Sequence, residues 1–479
     1  MLFNSPVFIF LFLPITFFIY FWLNQKRLGE ASRAFLVIAS LFFYSWWNVI
    51  YLPLILISMV WNFAIGSYLS RNFGKDLSNL KNKISPKVLL IIGICGNVGL
   101  LGYFKYADFF ILNANFIFGT KFEFLHLALP LAISFFTFQQ IAYLVDSLKG
   151  ETREYDFLSY ALFVSFFPQL IAGPIVHHKE MMPQFSVVRN KIKNYRNILL
   201  GIFIFSMGLF KKVVIADTFA LYATHGFDEM AVLEFISAWQ STLAYTFQVY
   251  FDFSGYCDMA IGAALLFNIK IPINFNSPYK ATDIQEFWRR WHITLGRFLR
   301  DYIYIPLGGS KKGVSRTCIN ILIMFGIAGI WHGAAWTFVI WGLLHGIALV
   351  IHRLWQLSKI KLPKLFAWFL TFAFFNYSVP FFRANTFDDA IKVLKGMIGL
   401  NGISFDKFSE FAIDLETSAA ILGIYSVLAL VLILFFPNSQ TFSQNKDKFI
   451  WVLFFLAMFL VSVLLISAER YTEFIYFNF

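Results

Sequence analysis

The sequence predicts an all-α polytopic membrane protein, and three observations carry that prediction. Hydrophobic residues make up 59% of the 479 positions and charged residues only 14%, against roughly 45–50% and 25% in soluble domains. The mean hydropathy is +0.67. The apolar residues fall in long runs, many close to the ~20 residues that cross ~30 Å of hydrocarbon as a helix. A soluble chain this apolar could not cover its own surface. Disorder, a collagen repeat and a disulfide scaffold are excluded, because the chain is neither polar, periodic nor rich in cysteine.

The runs follow one another along the chain. Residues 6–23 read as a first membrane span. No basic region precedes them and no small-residue cleavage site follows, so a removable signal is not expected. Residues 34–68 are too long for one span and are expected to hold two, broken around Asn48 and Pro53. Residues 88–103, 125–145 and 198–221 each read as one span. Residues 233–269 are again overlong, with a polar break expected at Asp252-Phe-Ser-Gly-Tyr256. Residues 319–351 carry a glycine-rich break at Trp331-His-Gly333. Residues 365–382, 417–436 and 449–467 complete a set of about ten to twelve spans. Residues 157–175 stand apart. They contain Pro168, end in Gly173-Pro174 and have basic residues on both flanks. This is expected to be a re-entrant segment, tolerated only where protein or a water-filled cavity covers it.

The charge balance is 39 basic against 27 acidic residues, a net +12. The basic residues sit in short loops between apolar runs, so membrane topology and anionic headgroups explain them, and no nucleic-acid partner is expected. Lys26, Arg27 and Arg33 follow the first span, Arg71, Lys75, Lys81, Lys83 and Lys87 follow the third, and Arg353, Lys359, Lys361 and Lys364 mark a later loop. These alternate correctly if the N-terminus faces outward. Residues 289–316 hold seven Lys or Arg and belong inside. Residues 385–416 hold six acidic and three basic residues and belong outside, as does the tail after Ser467. Cys95, Cys257 and Cys318 are isolated in apolar surroundings and read as small buried residues.

Ionisable side chains at bilayer depth are functional candidates, because burying them is costly. His332, in Ile330-Trp-His-Gly-Ala334, lies inside the long apolar stretch, beside Gly326, Gly329 and Gly333. It reads either as a reactive group or as a hydrogen-bonded link between helices. His345 and His352 fit the second reading better. The spacing of the three is not the i, i+4 pair of a helical metal site, so no metal is expected. In Glu286-Phe-Trp-Arg-Arg-Trp-His292, Trp288, Trp291, Leu295, Phe298 and Leu299 recur at helical spacing and give one apolar face. Arg289, Arg290, Arg297 and Arg300 then either reach for headgroups or bind the phosphates of an anionic ligand. Asp252-Phe-Ser-Gly-Tyr-Cys-Asp258 puts two carboxylates at apolar depth, where Lys211 and Lys212 are available to pair with them.

Together these clusters resemble the membrane-bound O-acyltransferase family, most closely its bacterial alginate O-acetyltransferase branch. The likeness runs over nearly the whole chain. It rests on Asn4-Ser-Pro-Val-Phe8, Gln169-Leu-Ile-Ala-Gly-Pro174, Gly208-Leu-Phe-Lys-Lys-Val213, Asp252 to Asp258, Asn274-Phe-Asn-Ser-Pro-Tyr279, Glu286 to His292, Arg300-Asp-Tyr-Ile-Tyr-Ile-Pro-Leu-Gly-Gly309, Gly329-Ile-Trp-His-Gly333 and Phe474-Ile-Tyr-Phe-Asn-Phe479. The resemblance implies a ring of tilted helices and re-entrant segments around a thin central floor, with a cytoplasmic and an extracytoplasmic funnel. It implies one integral-membrane domain over residues 1–479, with a cytoplasmic-side amphipathic segment at 270–316 and an extracytoplasmic aromatic tail at 468–479.

The resemblance also assigns roles. His332 falls on the family's membrane-embedded histidine, and His292 on its second polar site. Acyl transfer to a hydroxyl needs a general base and stabilisation of an oxyanion, and a neutral imidazole suits the first role. The expected site adds Arg289, Arg290 and Arg300 on the donor's phosphates, with Trp288, Asp252, Tyr256, Asp258, Trp331 and Asn274 as substrate contacts. Tyr476, in the tail, is either part of an aromatic belt or an acyl acceptor that passes the group on as a phenolic ester. No bound cofactor is expected; acetyl-CoA or another acyl thioester is the donor. The implied setting is a bacterial cytoplasmic (inner) membrane. The implied partners are the bilayer, a separate extracytoplasmic hydrolase-like transferase of the Ser/Asp/His (SGNH) type and, indirectly, a polysaccharide acceptor such as an alginate-like polymer or peptidoglycan. D-alanyl transfer to teichoic acid and a transporter or flippase without covalent chemistry are the alternatives.

Overall fold

The computed structural model describes residues 1–73, 84–152, 156–403, 419–444, 446, 448–468 and 474–475. Among them every regular element is a helix. Eight helices are long and apolar enough to cross a membrane: Phe8–Gln25, Val49–Arg71, Pro86–Phe118, Tyr195–Glu229, Gly313–His332, Trp336–Ser358, Lys364–Arg383 and Phe449–Ser467. The chain is a multi-pass all-α membrane protein. It packs into two compact units, Met1–Phe205 with Met259–Pro272, and Ser206–Asp258 with Ile273–Ile475.

In the first unit the expected break near Asn48 is present. The helix Gly29–Ser45 ends, and the Asn48 side chain accepts the Ile50 N–H at 2.9 Å to open the next helix. Polar side chains join helices where lipid offers no alternative partner. Asn62 and Asn97 exchange amide hydrogen bonds at 3.0 and 2.6 Å. The segment expected to be re-entrant is broken into Phe157–Ser165 and Phe167–Leu170. Its 9 and 4 helical residues are too few to cross ~30 Å. The Phe167 N–H, which would bond the Phe163 carbonyl in an unbroken helix, donates to the Ser40 hydroxyl at 3.1 Å, and that carbonyl is bonded instead by the side-chain amides of Gln139 and Gln169, at 2.9 and 2.6 Å. The backbone freed by the break is thus satisfied inside the protein. The run at 125–145 becomes helical only at Ile133, since Pro130 cannot sit in a helix interior. Cys257 is buried as expected, but Cys95 is exposed.

Two expectations fail in the region that holds the candidate residues. No break occurs at Asp252–Tyr256, because Phe235–Leu266 is a continuous helix of 32 residues. Its carboxylates are neutralised by lysines of the preceding helix. Gly255 admits that helix's backbone, since a Cβ there would lie 2.7 Å from the Gly208 carbonyl oxygen. The single apolar-faced helix expected around Trp288 to Leu299 is instead two short ones, Ile284–Arg290 and Ile293–Leu299. His292 divides them, with φ 44° and ψ 52° in the left-handed region, which non-glycine residues seldom adopt. The break at Trp331-His-Gly333 is present. Gly333 is extended, and the helices Gly313–His332 and Trp336–Ser358 form a hairpin. The hairpin closes on glycine, because a Cβ on Gly342 would lie 2.4 Å from the Phe325 carbonyl oxygen and 2.8 Å from Gly329 Cα.

Candidate functional site

His332 is the last residue of Gly313–His332, where the hairpin turns. It is 2% exposed in an aromatic box. The edges of Trp331, Trp341 and Phe382 meet the imidazole with centroids 4.9, 5.0 and 5.2 Å away. The box shields the ring from water, which strengthens any interaction made inside.

His292 is 1% exposed, and a network centred on Asn274 fixes it. The Asn274 side-chain oxygen accepts the Thr294 N–H at 3.1 Å and the Thr294 hydroxyl at 3.0 Å. That identifies the atom as oxygen. The contact of His292 Nδ1 to it, at 3.2 Å, is therefore a donation by the ring, which leaves Nε2 as the acceptor nitrogen. Burial holds the His292 pKa down at about 3, so the ring is neutral at any working pH. Phe253 lies edge-on at 4.8 Å and Trp331 at 6.1 Å. Trp331 thus contacts both candidate histidines, and the structure brings them together across one indole.

His345 belongs to the scaffold. The Trp288 indole N–H donates to its Nδ1 at 3.3 Å, and its Nε2 faces the Ser378 hydroxyl at 3.1 Å. Trp288, expected to contact substrate, spends its donor on this bond and packs on Phe325 and Trp341.

The arginines separate into different environments. Arg290 is held by Glu286 at 2.7 Å and donates to the Asn276 carbonyl at 3.1 Å. Arg300 is exposed and bonded to its neighbour Asp301 at 2.7 Å. Arg289 is exposed and carries none of these pairings, so of the three it is the one available to an anionic ligand.

The two carboxylates of Phe235–Leu266 are both paired with lysines from the π-helical stretch Lys211–Ala216. Lys211 meets Asp258 at 2.8 Å, and Ser439 also donates to that carboxylate. Lys212 lies 2.8 Å from both Asp217 and Asp252. The pairing that Lys211 and Lys212 made available is realised, as buried charge requires. Asp252 also holds the tail, since its other oxygen accepts the backbone N–H of Ile475 at 2.8 Å. Phe474 stacks on Tyr256 with centroids 4.3 Å apart and also touches Phe253. Phe474 and Ile475 of the tail are therefore clasped on the helix whose Phe253 touches His292. Tyr476 lies outside the described residues.

Asp217, Ser439, Thr294 and Trp341 escaped sequence reasoning. Asp217 carried a signal, an acid five residues after Lys212 in an apolar helix. The other three are ordinary residues whose part appears only when distant segments meet.

The chain is similar to known proteins along its whole length. The chain is 49% identical to a peptidoglycan O-acetyltransferase of Helicobacter pylori, covering 100% of this chain and 98% of that protein. It is 35% identical to a probable alginate O-acetylase of Pseudomonas putida over 100% of both chains. The likeness to a teichoic acid D-alanyltransferase of Streptococcus thermophilus is 29% and covers 49% of this chain, so D-alanyl transfer is the more distant reading. Residues 2–382 match the sequence pattern of the membrane-bound O-acyltransferases. With its buried histidine at a hairpin turn between membrane-spanning helices, the chain belongs to the membrane-bound O-acyltransferase family, and it is an O-acyltransferase.

Proposed function

We propose that the protein takes acetyl from acetyl-CoA at the cytoplasmic face of a bacterial inner membrane and delivers it outward for O-acetylation of a surface glycan, with peptidoglycan as the acceptor polymer. The observation that carries this reading is the pair of buried imidazoles sharing Trp331. The choice of polymer follows the full-length likeness to a peptidoglycan O-acetyltransferase. His332 acts as general base. It takes the proton of the acceptor hydroxyl as that oxygen attacks the thioester carbonyl. The C–O bond forms, the C–S bond breaks, and the proton leaves with the thiol. His292, kept neutral by burial and held in one tautomer by Asn274, orients the thioester. Arg289 meets the donor's phosphates.

Tyr476 is the first acceptor in this scheme. Phe474 and Ile475, two and one residues before it, are held by Tyr256 and Asp252. Its phenolic ester, with a leaving-group pKa near ~10, is a better donor than an alkyl ester. A separate transferase of the Ser/Asp/His hydrolase type then moves the group to the glycan.

The test is reconstitution in vesicles with radiolabelled acetyl-CoA. His332→Ala is expected to lose transfer by a factor of about 10² or more at unchanged thermal stability, and full transfer by that variant would refute the assignment. Tyr476→Phe is expected to abolish labelling of the chain itself, and undiminished labelling would remove the tail from the route. A transporter or flippase without covalent chemistry would release no CoA thiol in this assay.

A further inference from the structure

We propose that a cavity at the cytoplasmic end of the first membrane span binds the phosphodiester headgroup of an anionic phospholipid. The cavity holds about 660 Å³ and is formed by the end of Phe8–Gln25 and by residues 188–195. Arg27, Lys191 and Lys193 line it, with Asn24, Gln25 and Tyr195, and no carboxylate is among its lining residues. Among the described residues none of the three cations forms an ion pair. Three positive charges are thus gathered around one cavity with no acidic side chain among its described lining residues. A basic pocket beside membrane helices on the cytoplasmic side suits an anionic headgroup.

The backbone supplies an independent observation. The helix Leu13–Gln25 ends in a double turn, in which the Arg27 N–H bonds the Asn24 carbonyl and the Leu28 N–H bonds the Leu23 carbonyl, both at 3.0 Å. This termination puts the residue after the cap in the left-handed region, where glycine is the usual choice. Arg27 is there with φ 61°. The chain carries a long cationic side chain at a position where glycine would fit without strain, and strain of this kind concentrates at functional sites.

The surroundings point to lipid as the source of the phosphate. The Lys193 ammonium lies 5.8 and 5.6 Å from the ring centroids of Phe17 and Phe18, on the first span. Phe18, Trp22, Val188, Ile192 and Tyr195 are all exposed around the cavity and along that span. A headgroup in the cavity would have its acyl chains against apolar side chains. Residues 179–196 carry Lys179, Arg189, Lys191, Lys193 and Arg196, so the charge rule puts them, like the loop after the first span, on the cytoplasmic face, and the structure joins the two in one site.

The test uses the full-length protein in detergent, with phosphatidylglycerol, phosphatidylcholine or inorganic phosphate added and bound species read by native mass spectrometry. Phosphatidylglycerol is expected to be retained in preference to phosphatidylcholine, with about fivefold weaker retention for each basic side chain removed. Equal retention of the two lipids, or unchanged retention by the R27Q/K191Q/K193Q variant, overturns the proposal. Saturation by inorganic phosphate that displaces the lipid reassigns the cavity to a soluble phosphate ligand and overturns it as a lipid site. If the triple variant does not fold, Arg27→Gly decides. It relieves the left-handed strain, so it is expected to melt no lower than wild type while holding phosphatidylglycerol about fivefold less tightly. Wild-type retention by Arg27→Gly would likewise overturn the site.

Discussion

Asn274 settles which nitrogen of His292 carries the proton, and it does so because Thr294 first settles which end of the Asn274 amide is oxygen. Three residues are spent on one tautomer, and the cost of burying His292 shows in its pKa of about 3. An unfolded chain binds a proton at this residue near pH 6.5, whereas the folded ring does so only near 3. The unfolded state therefore gains protons first as pH falls. Stability is complete above about 6.5 and is lost below it, at about 1.4 kcal/mol per pH unit for this residue. His292→Asn, which tolerates the same backbone conformation, is expected to flatten the acid limb of a plot of Tm against pH by that slope. An unaltered acid limb would show that the folded ring does charge. At this scale the sequence was informative about identity and silent about conformation. A histidine between Trp291 and Ile293 stood out from its type and neighbours. Its left-handed φ did not, because nothing local demands it, and it follows from anchorage to Asn274, eighteen residues earlier.

Among the elements, breaks were legible where a residue physically prevents helix. Pro168 and Gly333 mark real interruptions. The break placed at Asp252 was not real. It rested on polarity, and polarity interrupts a membrane helix only when the charge lacks a partner. Lys211 and Lys212, some forty residues away in sequence, supply the partners. The Gly313–His332 and Trp336–Ser358 hairpin shows how glycine sets an element's place. Gly342→Ala would put a Cβ 2.4 Å from a carbonyl oxygen, and it is expected to lower stability by about 1–3 kcal/mol and to displace His332. Gly326→Ala on the same hairpin would meet only Leu343 Cδ2, at 3.7 Å, and is expected to be neutral or mildly stabilising. Thermal melts of the two variants in detergent check the contrast, and equal losses would mean that the close approach is not what fixes the turn.

For the whole molecule, the class of protein was plain from composition, because no soluble arrangement can hide 59% hydrophobic residues. Orientation follows from charge and can be measured. Lys311 and Lys395 are both exposed, and three candidate spans lie between them: Gly313–His332, Trp336–Ser358 and Lys364–Arg383. An odd number of crossings puts them on opposite faces, and the basic loops put Lys311 inside. A cysteine at 311, with Cys95, Cys257 and Cys318 replaced, is expected to react with an impermeant maleimide only from the cytoplasmic side, and a cysteine at 395 only from outside. Labelling of both from one side would invert or break this topology.

The clasp on the C-terminal segment has a consequence for engineering. Asp252 grips Ile475 through a main-chain amide, and every amino acid except proline carries that amide. Fastening is therefore indifferent to the side chain at 475. A proline there removes that hydrogen bond while leaving Phe474 on Tyr256 and every aromatic ring beyond it intact, so the main-chain and aromatic halves of the clasp become separable in a single polypeptide.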